Sequence, residues 1–292
     1  MTGSRFPAIT FIGAGRLAQG LALAFDKNHI PVASVSSRSP ASVQKLAARI
    51  PGIKVLDSQS AADAAELVFI TVPDDAIAQV ASQIRWKPGI SVVHCSGATE
   101  VSALAAAQSL GASIGGFHPM QAFTDPDAAA ASLAGCTITI EAGEPLLGTL
   151  KRIAEALGCE VMQLPPGYRA RYHASGSYAA AFVNVLLREA SQMWQSFGAS
   201  EQDAVRALLP LLKGIVASIE KQGLADGMPG PVSRGDTGTI GAHVSDLNQF
   251  DPAALVLYRE LALRAIPLAL ERGSIDEVRA DELKKVLLDK KP

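Results

Sequence analysis

Two histidines and one glycine turn are the residues of this chain whose types and spacing can do chemistry. His118 stands in Gly115-Gly116-Phe117-His118-Pro119-Met120-Gln121-Ala122-Phe123, directly after a short apolar run. His173 stands in Arg169-Ala170-Arg171-Tyr172-His173-Ala174-Ser175-Gly176-Ser177-Tyr178. An imidazole titrates near neutral pH and can give or take one proton there, which is the task of the acid/base partner in reducing a C=O or C=N bond. The competing account is structural: His118 braces its loop, and His173 is satisfied within its helix. Of the remaining three, His29 lies in a polar turn and is read as surface. His94 ends a strand as a core or cofactor-side residue, and His243 lies in a polar segment further on.

Two more sets of polar residues are candidates to meet a substrate. Positions 173, 177, 180 and 184 share one helix face by their three- and four-residue spacing. That face carries His173, Ser177 and Asn184 on an otherwise apolar helix, where such groups need hydrogen-bond partners or a ligand. In residues 227–238, glycine and proline prevent helix while Ser233, Arg234, Asp236 and Thr237 supply polar groups. Arg234 is the candidate for an anionic substrate group, with Ser233 beside it; a plain connector is the equal alternative.

The glycine turn comes first in the chain. Ile9-Thr10-Phe11-Ile12-Gly13-Ala14-Gly15-Arg16-Leu17-Ala18-Gln19-Gly20 reads as a strand, a tight turn and a helix start. Gly13 permits the turn, Gly15 lets backbone approach a pyrophosphate, and Ala18 allows close helix–strand packing. The backbone of Ala14, Gly15, Arg16 and Leu17 then offers free N–H groups and a partial positive charge to phosphates, so a dinucleotide site is expected here. At the end of the second strand, Val35-Ser36-Ser37-Arg38-Ser39 has no acid to bind a ribose 2′-OH. It has Arg38 between Ser37 and Ser39, a set suited to a 2′-phosphate, and NADP (NADPH) is expected over NAD. Ser39 before Pro40 also reads as a helix N-cap, which leaves Arg38 free for the phosphate. Val72, Pro73 and Ser96 stand at two further strand ends and are expected as backbone neighbours of the cofactor.

These residues need a frame. The chain has 292 residues, 48% hydrophobic and 18% charged, enough apolar surface for two folded domains. The net charge of −2 divides as 11 basic and 13 acidic residues up to Pro165, then 15 and 15. Neither half has the basic excess that nucleic acid or an anionic membrane requires, so neither is expected as a partner. No apolar run reaches the roughly 18 residues of a bilayer span, the N-terminus shows no signal-peptide pattern, and a cytoplasmic protein is expected. Cys95, Cys136 and Cys159 are too few and too scattered for a disulfide framework or a zinc site; buried thiols and no metal are expected.

Up to about residue 164, short β-branched runs alternate with alanine-rich helical stretches. That repeated βαβ order predicts an α/β fold with a doubly wound parallel sheet. Pro165-Pro166-Gly167 ends this grammar. Residues 169–197 then read as one long helix, followed by helices over 201–222, 252–271 and 274–288 with glycine stops. The expected domains are therefore 1–165, binding the dinucleotide, and 166–292, an all-α domain for substrate and dimerisation.

With these motifs in place, the chain resembles two-domain dehydrogenases built of a Rossmann half and a 6-phosphogluconate-dehydrogenase-like helical half. Pyrroline-5-carboxylate reductase, ketopantoate reductase and the deazaflavin-dependent NADP oxidoreductases share that layout. It is most similar to a group of bacterial NADP oxidoreductases with a C-terminal domain of unknown function, through Gly13-Ala14-Gly15, His118-Pro119-Met120-Gln121, Tyr172-His173-Ala174 and residues 230–236. His118-Pro119-Met120 also resembles a prephenate dehydrogenase motif whose histidine meets the substrate hydroxyl, although Ala122 replaces its glycine. The β-hydroxyacid dehydrogenases carry a catalytic lysine on the long helix, and residues 169–197 contain none. The resemblance implies a hydride transfer between NADP(H) and a small carbonyl or imine compound, with His118 or His173 handling the proton. The rival from another class is an NADP(H)-binding sensor or scaffold without turnover. A homodimer is expected, because a long apolar helical half often needs a second subunit to cover it.

Overall fold

The computed structural model describes residues 6–289. Two compact units divide the chain, one up to Ala181 and one from Phe182 onward. The first unit holds eight strands: β1 (Ile9–Ile12), β2 (Val32–Ser36), β3 (Lys54–Val55), β4 (Leu67–Ile70), β5 (Ser91–His94), β6 (Ser113–Pro119), β7 (Thr137–Ala142) and β8 (Glu160–Gln163). Helices α1 (Arg16–Lys27), α2 (Pro40–Ala47), α3 (Ser58–Asp63), α4 (Ile77–Gln83), α5 (Ala105–Ser109), α6 (Pro126–Ala131), α7 (Leu146–Ala156) and α8 (Arg169–Ala179) lie between and after them.

The strands form one sheet in the order β3-β2-β1-β4-β5-β6-β7-β8. Strands β1 and β4 are buried along their whole length, which is why they lack polar alternation. Their side chains serve two cores on opposite faces. Phe11, Phe69 and Phe117 join Phe25 of α1 on one face, with ring centroids 5.3–5.7 Å apart. Ile12, Val68, Ile70 and Val92 join Trp86 and Leu104 on the other.

Two strands, β7 and β8, run opposite to the other six and depart from the parallel pattern expected throughout. β7 runs antiparallel to β6, pairing Pro119 with Ile138 and Gly115 with Ala142, while β8 again runs parallel to β7. The cause is the connection. Residues 120–136 carry α6, which packs on α1. The chain then re-enters the sheet where β6 left it and does not cross over.

The single helix expected over 169–197 is two helices. α8 ends at Ala179, Ala180 has φ −121° and ψ −86°, and α9 (Ala181–Gln195) begins anew. Local propensity does not cause the break, since Ala179-Ala180-Ala181 is a run of the best helix former; the break falls where the chain passes from one unit to the other. The face expected to join His173 and Ser177 to Asn184 is therefore not continuous.

The second unit is helical. After α9 come α10 (Glu201–Asp226), α11 (Thr237–Phe250), α12 (Pro252–Glu271) and α13 (Glu277–Leu288). Gly223 interrupts α10 with φ 82°, near the expected stop. The last helix starts at Glu277, not at Ser274, because the Asp276 side chain caps it by accepting from Arg279 N–H. α11 has no counterpart in the sequence pattern; Asp236 caps it through Thr239 N–H, directly after the glycine-rich loop. Ile240, Leu247, Leu255, Ile266, Leu283 and Leu287 form this unit's core. Among the described residues no helix is long and apolar enough to cross a membrane.

Candidate functional site

A cleft of about 520 Å³ opens where β1, β2 and β4 end, in the first unit. Gly13, Ala14, Gly15, Ser37, Arg38, Ser39, Val72 and Pro73 all line it. The two glycines are required for different reasons. Gly13 has φ +112°, and a Cβ there would overlap the Thr71 carbonyl. Its own carbonyl accepts from Thr71 Oγ1 at 3.0 Å, and its N–H donates to Ser36 O at 2.8 Å. This turn is thus locked to the ends of β2 and β4. Gly15 is the N-cap of α1 and meets no atom within 4 Å of a built Cβ. The space above it is open, no side chain caps the helix, and no acid stands in its first turn. The first helix bond runs from Gln19 N to Gly15 O, so the N–H groups of Arg16, Leu17 and Ala18 have no acceptor within the helix. A glycine-lined opening with unclaimed donors at a helix N-terminus fits a diphosphate. The side chains of Arg16 and Leu17 do not line the cleft; Arg16 Nη1 donates to Thr124 O at 3.4 Å.

At the end of β2, Ser39 caps α2 by accepting from Ser42 N–H, and Ser37 Oγ accepts from Ser39 N–H at 3.2 Å. Arg38 is exposed on the cleft rim. Residues after β3 also reach this cleft, which the sequence reading did not foresee. Asp57 lines it as the N-cap of α3. Both its oxygens are occupied by Ser60, through Oγ and N–H, and these bonds hold its carboxyl below the usual range. The one acid in the cleft is therefore spent on capping.

A second cluster lies at the carboxyl ends of β5 and β6, with His118 still within β6. His118 Nδ1 is 2.8 Å from the Tyr172 hydroxyl, and its ring stands 6.1 Å from that of His173. Both rings close over Gly97, where a Cβ would come within 2.7 Å of His118 Nε2 and 2.6 Å of His173 Cδ2. Ser96 is the hub of this loop. Its hydroxyl donates to Asp74 Oδ2 at 2.7 Å and accepts from Ala98 and Thr99 N–H. Its own N–H donates to His94 Nδ1 at 3.2 Å. Ser96 does not line the first cleft.

Arg169, at the start of α8, is wholly buried and holds these parts together. Nε donates to Glu141 Oε2 and Nη1 to the Ser96 carbonyl, each at 2.7 Å. Nη2 has no partner, and it lies so close to Gly116 that any Cβ there would overlap it. Sequence reasoning gave no role to Arg169, Glu141 or Gly97, and marked Tyr172 only as part of the Tyr172-His173-Ala174 motif. The available signal was a charged residue, Glu141, closing an apolar strand, with Gly116 in the adjacent one.

Burial pushes both His94 and His118 down to about 4 from the ordinary 6.5. For His118 the neighbouring His173 is the next cause and Arg169 the third; for His94, Arg169 follows burial. Both imidazoles are neutral at pH 7. Burial raises the Tyr172 phenol, which keeps its proton.

The remaining expected contacts are dispersed. Ser177 is half-buried on α8 and Asn184 is exposed on α9. In the second unit, Ser233 is 2% exposed, its hydroxyl donates to Gly230 O, and its carbonyl accepts from Ser274 Oγ. Arg234, next to it, is exposed. Among the described residues no three His, Cys, Asp or Glu side chains group as metal ligands.

Comparison with known proteins agrees with this architecture. Residues 4–119 match a Rossmann-like domain, and residues 136–265 match DUF2520, a domain of unknown function. The chain is thus a Rossmann-like domain followed by a DUF2520 domain, with the second match beginning at β7. A Thermotoga maritima protein of known structure is similar over 91% of this chain and 100% of its own, at 23% identity and TM-score 0.75. A provisionally named NADP oxidoreductase of Bacteroides fragilis is similar over 90% and 98%, at 24% identity and TM-score 0.71. The Plasmodium falciparum pyrroline carboxylate reductase with NADP bound is similar over 95% and 100%, at 13% identity and TM-score 0.61. At these identities the likeness is one of fold. No curated protein sequence matches the chain.

The two neutral histidines make stability depend on pH in a definite direction. Unfolded, each binds a proton near pH 6.5; folded, only near pH 4. The unfolded state therefore holds more protons between these values, and stability rises with pH across the window. Their contribution is fully present above about pH 6.5 and is lost as pH falls to about 4. The slope is up to about 1.4 kcal/mol per pH unit for each histidine. Denaturant unfolding from pH 7.5 to 4 checks this: His94→Gln should flatten the profile in that window, and an unchanged slope contradicts the burial argument.

Proposed function

We propose that this chain is an NADP(H)-dependent oxidoreductase that moves a hydride between the nicotinamide and a small carbonyl or imine compound. The observation that carries it is the closure of His118 and His173 over Gly97, with Tyr172 bonded to His118, at the carboxyl ends of the same sheet whose first turn forms the glycine cleft. In open α/β sheets ligands bind along that edge. The fold relatives named as an NADP oxidoreductase and an NADP-bound reductase support the cofactor class. Ser37, Arg38 and Ser39 favour NADP through a cation and hydroxyls suited to a 2′-phosphate.

The reduced nicotinamide supplies the hydride when bound; the protein's part is the proton. Tyr172 keeps its own and donates it to Nδ1 of neutral His118. The imidazole proton then sits on Nε2, the atom that faces Gly97. His118 so presents an N–H to a carbonyl oxygen or imine nitrogen. As Nε2 gives its proton to the substrate, Tyr172 refills Nδ1 and is itself refilled from water. His173 closes the other side of Gly97 as the second acid/base candidate. In the helical part, from residue 166 onward, Arg234 is the proposed contact for an anionic group, and Ser233 fixes the loop that carries it. Ser177 and Asn184 are further candidate contacts.

A homodimer is part of the proposal. α10 has 26 residues and buries only Ala204, while Leu209, Leu211, Val216 and Ile219 are exposed. On α9, Val185 and Leu186 are exposed as well. A second copy of the chain is the proposed cover for these faces.

Three measurements test these points. Arg38→Ala should weaken NADPH roughly 10- to 100-fold and leave NADH nearly unchanged, since a charged hydrogen bond is worth about 1.5–3 kcal/mol; equal losses for both nucleotides in a fluorescence titration refute the NADP assignment. NADPH oxidation followed across keto acids, imines and their reduced forms should find a substrate, and on it Tyr172→Phe should lower kcat roughly 100-fold with little change in KM. Tight NADPH binding with no compound turned over, and unchanged in His118→Ala and His173→Ala, would instead make the protein a nucleotide sensor. Light scattering at micromolar concentration should give twice the chain mass, and a monomer removes the dimer.

A further inference from the structure

We propose that Cys136 and Cys159 form a dithiol that low-molecular-weight disulfides oxidise to an intramolecular disulfide. The two residues are 23 apart in the chain, yet their Sγ atoms lie 3.8 Å from each other. They are cross-strand neighbours. Thr137 pairs with Glu160 where β7 runs parallel to β8, and each cysteine immediately precedes its strand. Backbone bonds bracket the pair: Gly135 N–H donates to Gly158 O at 2.8 Å, and Glu160 N–H to Cys136 O at 2.9 Å. Gly135 and Gly158, both at positive φ, turn the chain out of the preceding segments and into these positions. Neighbouring strands lie about 4.8 Å apart, inside the Cα range of about 4.4–6.8 Å that a disulfide spans. Closing the gap needs side-chain rotation and no change of register.

The two thiols are unequal, as thiol–disulfide exchange requires of an attacking and a resolving partner. Cys136 is half-buried and Cys159 is 8% exposed. The Cys159 thiol has Cys136 Sγ and, at 3.2 Å, the Leu133 carbonyl in reach. Its hydrogen bond holds the Cys136 thiol below the usual range, while the same bond and then burial push Cys159 up. Cys136 is therefore the thiolate that attacks a small disulfide. A bond forms from Cys136 Sγ to one of its sulfurs, and the other sulfur leaves as a thiolate. Cys159 then yields its proton to that thiolate and attacks Cys136 Sγ; the protein disulfide forms and the second small thiolate departs to take up the Cys136 proton. The protein loses two electrons and two protons, and the small disulfide becomes two thiols. The proposal does not rest on hydride transfer, since the exchange uses no residue of the histidine cluster.

Oxidised glutathione is the probe, on the full chain, followed by alkylation and trypsin, which cuts at Lys151 and Arg152 between the two cysteines. The expected result is a disulfide-linked peptide pair that dithiothreitol separates, with two of the three thiols lost. Cys95, which shares the 86–151 tryptic peptide with Cys136 and whose thiol burial pushes well up, keeps the alkyl label within that peptide as the internal control. Cys159→Ser should trap a mixed disulfide on Cys136, and Cys136→Ser should leave Cys159 reduced. The proposal is overturned if the wild-type chain yields only a mixed disulfide on Cys136, if both cysteines remain reduced, or if Cys95 oxidises alongside them.

Discussion

Arg169 carries a permanent charge into the buried interior, and the candidate site is arranged around that fact. A guanidinium cannot shed its proton to escape burial, so it must be met by an opposite charge and by acceptors. Glu141 at the end of β7 supplies the charge, and the Ser96 carbonyl after β5 supplies an acceptor. Those two partners belong to separate strands, and Arg169 belongs to α8, so one side chain ties the helix to two strand ends. Removing one member of such a pair costs about 3–5 kcal/mol, because the other is left buried and uncompensated. Gly116 is a consequence of the same contact, since any side chain there would occupy the guanidinium's space. Tyr172 and His173 follow on the first turn of the helix that Arg169 anchors, which is how they come to meet His118.

The glycine cleft obeys a different constraint. Gly13 is demanded by the protein itself, through positive φ and contact with Thr71. Gly15 is demanded by nothing in the protein, as its missing side chain faces open space. A residue whose smallness serves no internal packing, at a helix N-terminus with unclaimed donors, is explained by something that must come close from outside. That contrast separates a ligand cradle from a tight turn more sharply than the glycine spacing, which is the same for both.

What was legible in the sequence follows from this division. The strand–turn–helix corner and the serines around Arg38 are contiguous in the chain, and local spacing suffices to read them. The βαβ alternation likewise revealed the sheet, except at β7 and β8, whose shared reversed direction depends on where residues 120–136 leave the chain. Arg169–Glu141 and Cys136–Cys159 join segments 28 and 23 residues apart, and no period or motif announces such pairs. The break at Ala180 was illegible for the opposite reason: local propensity there points firmly to helix, and the boundary between two units overrides it. Ser233 is a third case: composition marks its loop, but not that its hydroxyl bonds Gly230 O within the loop or that its carbonyl accepts from the distant Ser274 Oγ.

The absence of a lysine on α8 takes on meaning beside Arg169. A lysine on this helix would hold a titratable charge, whereas here the buried cation is fixed on Glu141 and the Ser96 carbonyl, and the groups over Gly97 are imidazoles. Of these, His118 is pushed down by burial, then by His173, then by Arg169. A proton on His118 is therefore costly to keep as a charge but not costly to hold as a neutral N–H, provided Nδ1 has a donor of its own. In the proposed mechanism Tyr172 is that donor, and burial raises its phenol. Buried cation, neutral imidazole and intact phenol are thus one electrostatic arrangement: each is stable because the next carries no additional charge.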